Sequence, residues 1–419
     1  MSQLLRLLFA VLFAALGALT VVPAPTRLPW LPSILVTEFG YGVAMLALLV
    51  FLPGWARSRV GRVSVVLGVC AIILLVMPVW RARQSSRELP DIFTASFGTE
   101  QRPQAGFANP ARTVPFVWTN LVHPVQSTPV RFERRAFQTS DGRNLAVEIY
   151  HPSYPHGPIP GVVVIAGESW HTGIEYVALN GYLAARDYLV AVVGDHLGPH
   201  YPFSTSRDDL TATIAYLKTH AAEIGLDQTR LVILGRSLAG HLGLLVAYTA
   251  NDPDIRGAIS LYAPTDFRRW YANPPTGRTN ETRAVLEEYL GGAPEHSRDA
   301  FDAASPIRFV NASSPPTLLV HGMHDDVVPP EESELLAARL QQEGVPHLLV
   351  RLPWAVHGCD KSFAGPCGQI TTYVVERFLN RVMVERGAPE NKRRVPRSDR
   401  RAQRSKSNAA TRPSDGRPS

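Results

Sequence analysis

The chain has 419 residues, 45% of them hydrophobic, and a formal net charge of +6, enough for a large domain with appendages. The charge is unevenly placed: residues 387–419 hold ten Lys/Arg against three Asp/Glu, residues 1–90 hold eight Arg against two Glu, and the remainder is net negative. An acidic central region argues against a nucleic-acid partner.

Three apolar stretches come first, at about 4–22, 34–52 and 63–80, each near the roughly 20 residues that cross a bilayer. Arg6 near the start of the first would suit a signal peptide, but two more stretches follow closely. The expectation is therefore a three-helix membrane anchor over 1–84, in the cell membrane and in contact with lipid. Glu38 near the start of the second stretch reads as a snorkelling or buried structural acid. Arg57, Arg59 and Arg62 favour a cytoplasmic loop after the second stretch, which would put the large domain outside. Arg81, Arg83 and Arg87 pull the other way.

Residues 85–130 are rich in Pro, Gly, Gln and Thr without clear periodicity and read as a linker. An α/β domain follows over 131–386. Strands at 131–138 and 144–151 form a hairpin around Asp141-Gly142. Short apolar strands at 161–166, 188–194, 230–234, 257–261, 317–321 and 347–352 then alternate with helices at 174–186, 207–222, 238–249, 330–343 and 369–384. This alternation predicts a mostly parallel sheet covered on both faces, with the hairpin as an antiparallel edge. The long stretch 264–315, with Trp270 and Tyr271 and a helix near 281–290, reads as a cap insertion that helps choose substrate. The tail 387–419, rich in Arg, Ser and Pro, is expected to be disordered.

Chemistry concentrates at Gly235-Arg236-Ser237-Leu238-Ala239-Gly240-His241, where a β-branched strand ends in a glycine and small residues follow a serine. A sharp strand-to-helix turn needs small residues there, and it lifts the serine hydroxyl above the sheet. A nucleophilic serine needs a base, and the base an orienting acid. Asp325 and Asp326 lie on the loop after the strand 317–321; Asp325 is favoured for its place after Gly322, with Asp326 second and Asp266 a distant third. His357 follows the strand at 347–352 and precedes the closing helix. The backbone N–H of Leu238 and the loop from Gly167 and Glu168 to Gly173 are the expected oxyanion donors. Trp170 and Tyr176 are candidate pocket residues. His321 and His324 lack a third ligand at suitable spacing, so no metal is expected. Cys70 lies in an apolar run. Cys359 and Cys367 could close a disulfide, which suits an exported domain, and spacing alone leaves two separate thiols equally open.

These motifs resemble the α/β-hydrolase superfamily, close to prokaryotic carboxylesterases and lipase-like enzymes, over about 131–386. The likeness extends to a membrane-anchored subgroup with several N-terminal spans. The elbow is similar to the family's Gly-x-Ser-x-Gly-Gly-His, with Ala239 in place of a glycine. His321-Gly322-Met323-His324-Asp325-Asp326-Val327-Val328-Pro329 resembles its His-Gly-x-x-Asp-x-x-Val-Pro, and His357-Gly358 its His-Gly pair. The oxyanion loop departs from the pattern, with Ala166, Glu168 and Ser169 where histidine and glycines are usual. The resemblance implies Ser237 as nucleophile, Asp325 as acid and His357 as base, with no metal or organic cofactor. The expected activity is hydrolysis of a small-molecule or lipid ester. A prolyl-oligopeptidase-like peptidase, an envelope acyltransferase and a silent scaffold on the same fold are the alternatives.

Overall fold

The computed structural model of the protein describes residues 2–22, 30–54, 58–99, 112–123, 130–153, 157–166, 177–194 and 201–384. Three helices open the chain: α1 (Gln3–Ala18), α2 (Trp30–Ala47) and α3 (Arg59–Phe97). Two helical segments, Leu31–Phe51 and Arg59–Phe97, are long and apolar enough to cross a membrane. The expectation of three spans is corrected at α1: its 16 residues reach only ~24 Å at 1.5 Å per residue, short of a hydrocarbon core of about 30 Å.

The three helices pack at very close range. A Cβ on Gly40 would lie 2.3 Å from the Leu75 carbonyl oxygen, so only glycine lets α2 cross α3 there. Pro78 lies inside α3 and has no N–H for the Leu74 carbonyl four residues back. The Thr20 hydroxyl, just past α1, donates to that carbonyl at 3.0 Å.

The linker expected over 85–130 is also corrected, because its first part continues α3 to Phe97. The reason is visible in hindsight. Ala82, Ser86, Leu89, Phe93 and Phe97 recur at helical spacing and are buried, and Pro90 does not end the helix. They pack against the α/β domain, where Phe97 meets Phe378 edge-on at 5.1 Å.

The domain is built on a sheet in the order β1-β2-β4-β3-β5-β6-β7-β8. Its strands are β1 (Arg131–Gln138), β2 (Asn144–His151), β3 (Ile159–Ile165), β4 (Leu189–Val193), β5 (Leu226–Arg236), β6 (Ile255–Leu261), β7 (Thr317–Gly322) and β8 (His347–Leu352). β1 and β2 are antiparallel, β2 meets β4 antiparallel, and the pairs from β4 to β8 are parallel. The fully buried strands read as near-continuous apolar runs because both faces are covered.

The remaining helices are α4 (Val177–Ala184), α5 (Phe203–Thr219), α6 (Ala221–Ile224), α7 (Ser237–Thr249), α8 (Phe267–Ala272), α9 (Thr279–Leu290), α10 (Arg298–Ala304), α11 (Glu331–Gln342) and α12 (Pro366–Val382). One core joins the sheet to α5, α7 and α11, and it includes Phe267, Trp270, Tyr289 and Phe301 from the stretch between β6 and β7. The opposite core joins the sheet to α4, α12 and the second half of α3. Cys359 and Cys367 are disulfide-bonded, leaving Cys70 as the free cysteine among the described residues. The basic tail expected from 387 lies outside the described residues.

Phe97→Ala should lower unfolding stability by ~3–5 kcal/mol, the cost of deleting a buried phenylalanine. Thermal or urea unfolding of the full chain measures it; a linker residue would give no change.

Candidate active site

β5 ends at Arg236 and α7 begins at Ser237, with no residue between them. Ser237 therefore takes the whole change of direction and has φ of 52°, in the left-handed region that costs a non-glycine residue energy. Two glycines make the turn fit. A Cβ on Gly235 would lie 2.6 Å from the Ala239 carbonyl oxygen, and one on Gly240 would lie 2.6 Å from the Ala263 methyl. Ala239 is fully buried in the core, so a methyl is accommodated where the motif usually has glycine.

The hydroxyl of Ser237 lies 2.8 Å from His357 Nε2, and His357 Nδ1 lies 2.8 Å from Asp325 Oδ2. All three side chains are buried. The carboxylate is fixed from several sides. Asp325 Oδ1 accepts the amides of Val327 and Val328 at 2.9 and 2.8 Å, and His321 Nε2 lies 3.3 Å from Oδ2. Burial pushes Asp325 up, but the charge of His357 and the hydrogen bonds from His321 and His357 outweigh it. The net effect holds the group well below the usual carboxylate range. An ionised acid on Nδ1 leaves Nε2 of a neutral ring to accept a proton, the arrangement a general base requires.

Asp326 turns the other way. It pairs with Arg278 at 2.8 Å, and this buried pair ties the acid loop to the stretch before α9. Burial raises Asp326 against the pull of Arg278. Asp266 caps α8 by accepting the Arg269 amide at 3.1 Å. Among the described residues no group of three or more potential metal ligands occurs. His321 bonds Ser333 Oγ at 2.7 Å and the Val328 carbonyl at 3.1 Å. The backbone N–H of Leu238 sits in the first turn of α7, where amides have no partner within the helix. Gly167, Glu168, Trp170 and Tyr176 lie outside the described residues.

A second buried pair was missed from the sequence. Arg236, the residue before the serine, places Nε 2.7 Å from Asp360 Oδ2, and the Tyr262 hydroxyl donates to Asp360 Oδ1 at 2.5 Å. The Tyr262 ring also meets the His357 ring edge-on at 4.8 Å. The serine turn and the histidine loop are thereby joined by a charged hydrogen bond as well as by the serine–histidine contact. The only sequence signal was an arginine inside the elbow and an aspartate three residues after the histidine.

The fold that carries this site is shared with solved structures. The carboxylesterase EstE1, cloned from a metagenomic library, superposes with a TM-score of 0.54 at 20% identity, covering 63% of this chain and 93% of that one. The chain has the α/β-hydrolase fold. Carboxyl esterase 2 from the fungus Tuber melanosporum matches this chain with a TM-score of 0.52 at 21% identity, over 62% of this chain and 90% of that one.

The BD-FAE family model matches residues 147–340 of the chain. Esterase LipC of Mycobacterium tuberculosis is 27% identical over 269 residues, 59% of this chain and 65% of LipC. Esterase LipQ of the same organism is 25% identical over 371 residues, 82% of each chain. The matches span 65% of LipC and 55% of the probable carboxylic ester hydrolase LipM, less than two thirds of either. The relatives are named as esterases, and the solved neighbours, at 20–21% identity, share the fold.

His241, four residues after the serine, is fully buried beside Phe267 and Tyr289, and burial lowers it to about 3. Its folded value lies below the 6.5 of an exposed histidine. Below pH 6.5 the unfolded chain gains a proton that the fold excludes, so stability falls with pH, by at most ~1.4 kcal/mol per unit. His241→Gln should flatten this acid-side loss in a pH series of melting temperatures.

Proposed function

We propose that the protein is a membrane-anchored serine carboxylesterase working through Ser237, His357 and Asp325. The observation that carries this reading is the pair of 2.8 Å contacts that runs from the serine hydroxyl through the imidazole to the carboxylate. Ser237 Oγ attacks the ester carbonyl while His357 Nε2 takes its proton. Asp325 stays ionised and stabilises the imidazolium. The tetrahedral oxyanion is met by the Leu238 N–H and by backbone donors of Gly167 and Glu168. His357 then hands its proton to the departing alcohol and leaves an acyl-enzyme. Water, deprotonated by the same nitrogen, releases the acid and restores the serine. None of these steps calls for a metal or organic cofactor.

Anchoring is supported by the two long apolar helices, and an extracytoplasmic domain by the Cys359–Cys367 disulfide. The organisation proposed is an anchor over 1–84, an α/β-hydrolase domain over 131–386 with a substrate-selecting insertion near 264–315, and a basic tail over 387–419. The stretch between anchor and domain is partly taken up by α3 and is not a free spacer.

Ser237→Ala should abolish fluorophosphonate labelling and cut p-nitrophenyl butyrate hydrolysis by ~10⁴-fold or more. Labelling that survives the substitution, or a clear preference for peptide amides over esters, would sink the esterase reading. Asp325→Asn should lower kcat by roughly 10³–10⁴-fold. Asp326→Asn should instead lower the melting temperature, because it breaks a buried pair with Arg278.

A further inference from the structure

The three N-terminal helices meet the domain at the two loops that carry the proposed acid and base. His324, next to Asp325, faces the Thr20 backbone just past α1. Arg81 of α3 donates to the Pro353 carbonyl at 2.9 Å, four residues before His357. Glu38 of α2 accepts the backbone N–H of Cys367 at 3.1 Å, and Cys367 is cross-linked to Cys359, two residues after His357. The buried Glu38 side chain thus sits at the N-terminus of α12 and takes up one of the amides that the helix leaves without an internal partner.

The outer face of α3 sets where a bilayer would end. Val63, Val66, Val69, Ile73, Val76 and Trp80 are exposed and follow one another every three or four residues. From Val63 to Trp80 this stripe runs ~26 Å, close to the ~30 Å of a hydrocarbon core. It stops one residue before Arg81, whose guanidinium touches the histidine loop. Beyond that point α3 is packed along the domain, so no slack chain lifts the site away. A second apolar surface lies beside this end. Trp118 and Val122 are 48% and 65% exposed, and their segment is tied to α2 by the Tyr41 hydroxyl, which donates to the Leu121 carbonyl at 2.8 Å. A tryptophan at each place fits the interfacial level, where aromatic side chains gather.

We infer that the substrate is a long-chain lipid ester held in the same leaflet on which the domain sits, reached at the bilayer surface and not from free solution. This rests on the serine-esterase and anchoring readings above. Ser237 Oγ bonds to the lipid's acyl carbon, and the ester C–O bond breaks. The lipid alcohol leaves with the proton from His357, and water then frees the fatty acid.

The test uses the full chain reconstituted in phosphatidylcholine vesicles. A fluorogenic long-chain diacylglycerol is placed either in the enzyme's own vesicles or in separate ones, with water-soluble p-nitrophenyl butyrate as the reference. The expected result is at least tenfold faster hydrolysis of the ester sharing the enzyme's vesicles, falling as inert lipid dilutes it, while the soluble ester is unaffected. A double variant, Trp118→Glu with Val122→Glu, should lose at least tenfold on the embedded ester and stay within twofold on p-nitrophenyl butyrate. Equal rates in the two placements, or no turnover of the embedded ester beside Ser237-dependent turnover of the soluble one, would overturn the inference and leave the esterase reading intact. Absence of both activities and of fluorophosphonate labelling would end the esterase reading and this inference together. Release of the chain from vesicles by alkaline carbonate would end the anchoring reading and the inference, but not the esterase reading.

Discussion

The turn at Ser237 is the constraint on which the rest of the site depends. A strand that passes directly into a helix must reverse its backbone within one residue, and here that residue is a serine with positive φ. The strain persists because Gly235 and Gly240 let the Ala239 backbone and the Ala263 methyl approach closer than a side chain there would allow, and because both flanking elements are buried. The return is position: the hydroxyl stands at the end of the sheet, where the loops after β7 and β8 also emerge. Strain and close packing on one side of the turn meet hydrogen bonding on the other.

Two buried ion pairs then hold the loops in register. Arg236 to Asp360 joins the serine turn to the histidine loop, and Arg278 to Asp326 joins the insertion to the acid loop. A buried charge without its partner is costly, so each pair penalises any movement that separates its loops. This is a form of precision that apolar packing alone, being non-directional, supplies less well.

The N-terminal helices are part of the same architecture. The second half of α3 replaces solvent on one face of the sheet, and Glu38 caps α12 from within an apolar helix. An anchor joined by a long spacer would leave the domain free to turn. Here the packed second half of α3 keeps the exposed apolar stripe in a fixed place relative to the loops after β7 and β8.

Much of this was written in the local pattern. The apolar runs alternating with amphipathic ones specify a parallel sheet, because strands covered on both faces and helices covered on one have different periods. Gly235, Ser237 and Gly240 specify the elbow for steric reasons that involve only near neighbours. The order of serine, acid and histidine along the chain needed no coordinates either. What the tertiary structure decided were matters of direction and distance. Asp325 and Asp326 are adjacent and chemically identical, and only the path of the loop turns one towards His357 and the other towards Arg278. The helical pattern over 82–97 was hidden by its polar residues and by Pro90, and it became a helix because Leu89, Phe93 and Phe97 found an apolar surface from residues nearly three hundred positions away. Arg236 and Asp360, and Glu38 with the start of α12, likewise pair groups whose spacing in sequence carries no information about their approach in space. Local sterics and periodicity are properties of short segments and can be read from them, whereas a pairing between distant segments exists only once the whole chain has folded.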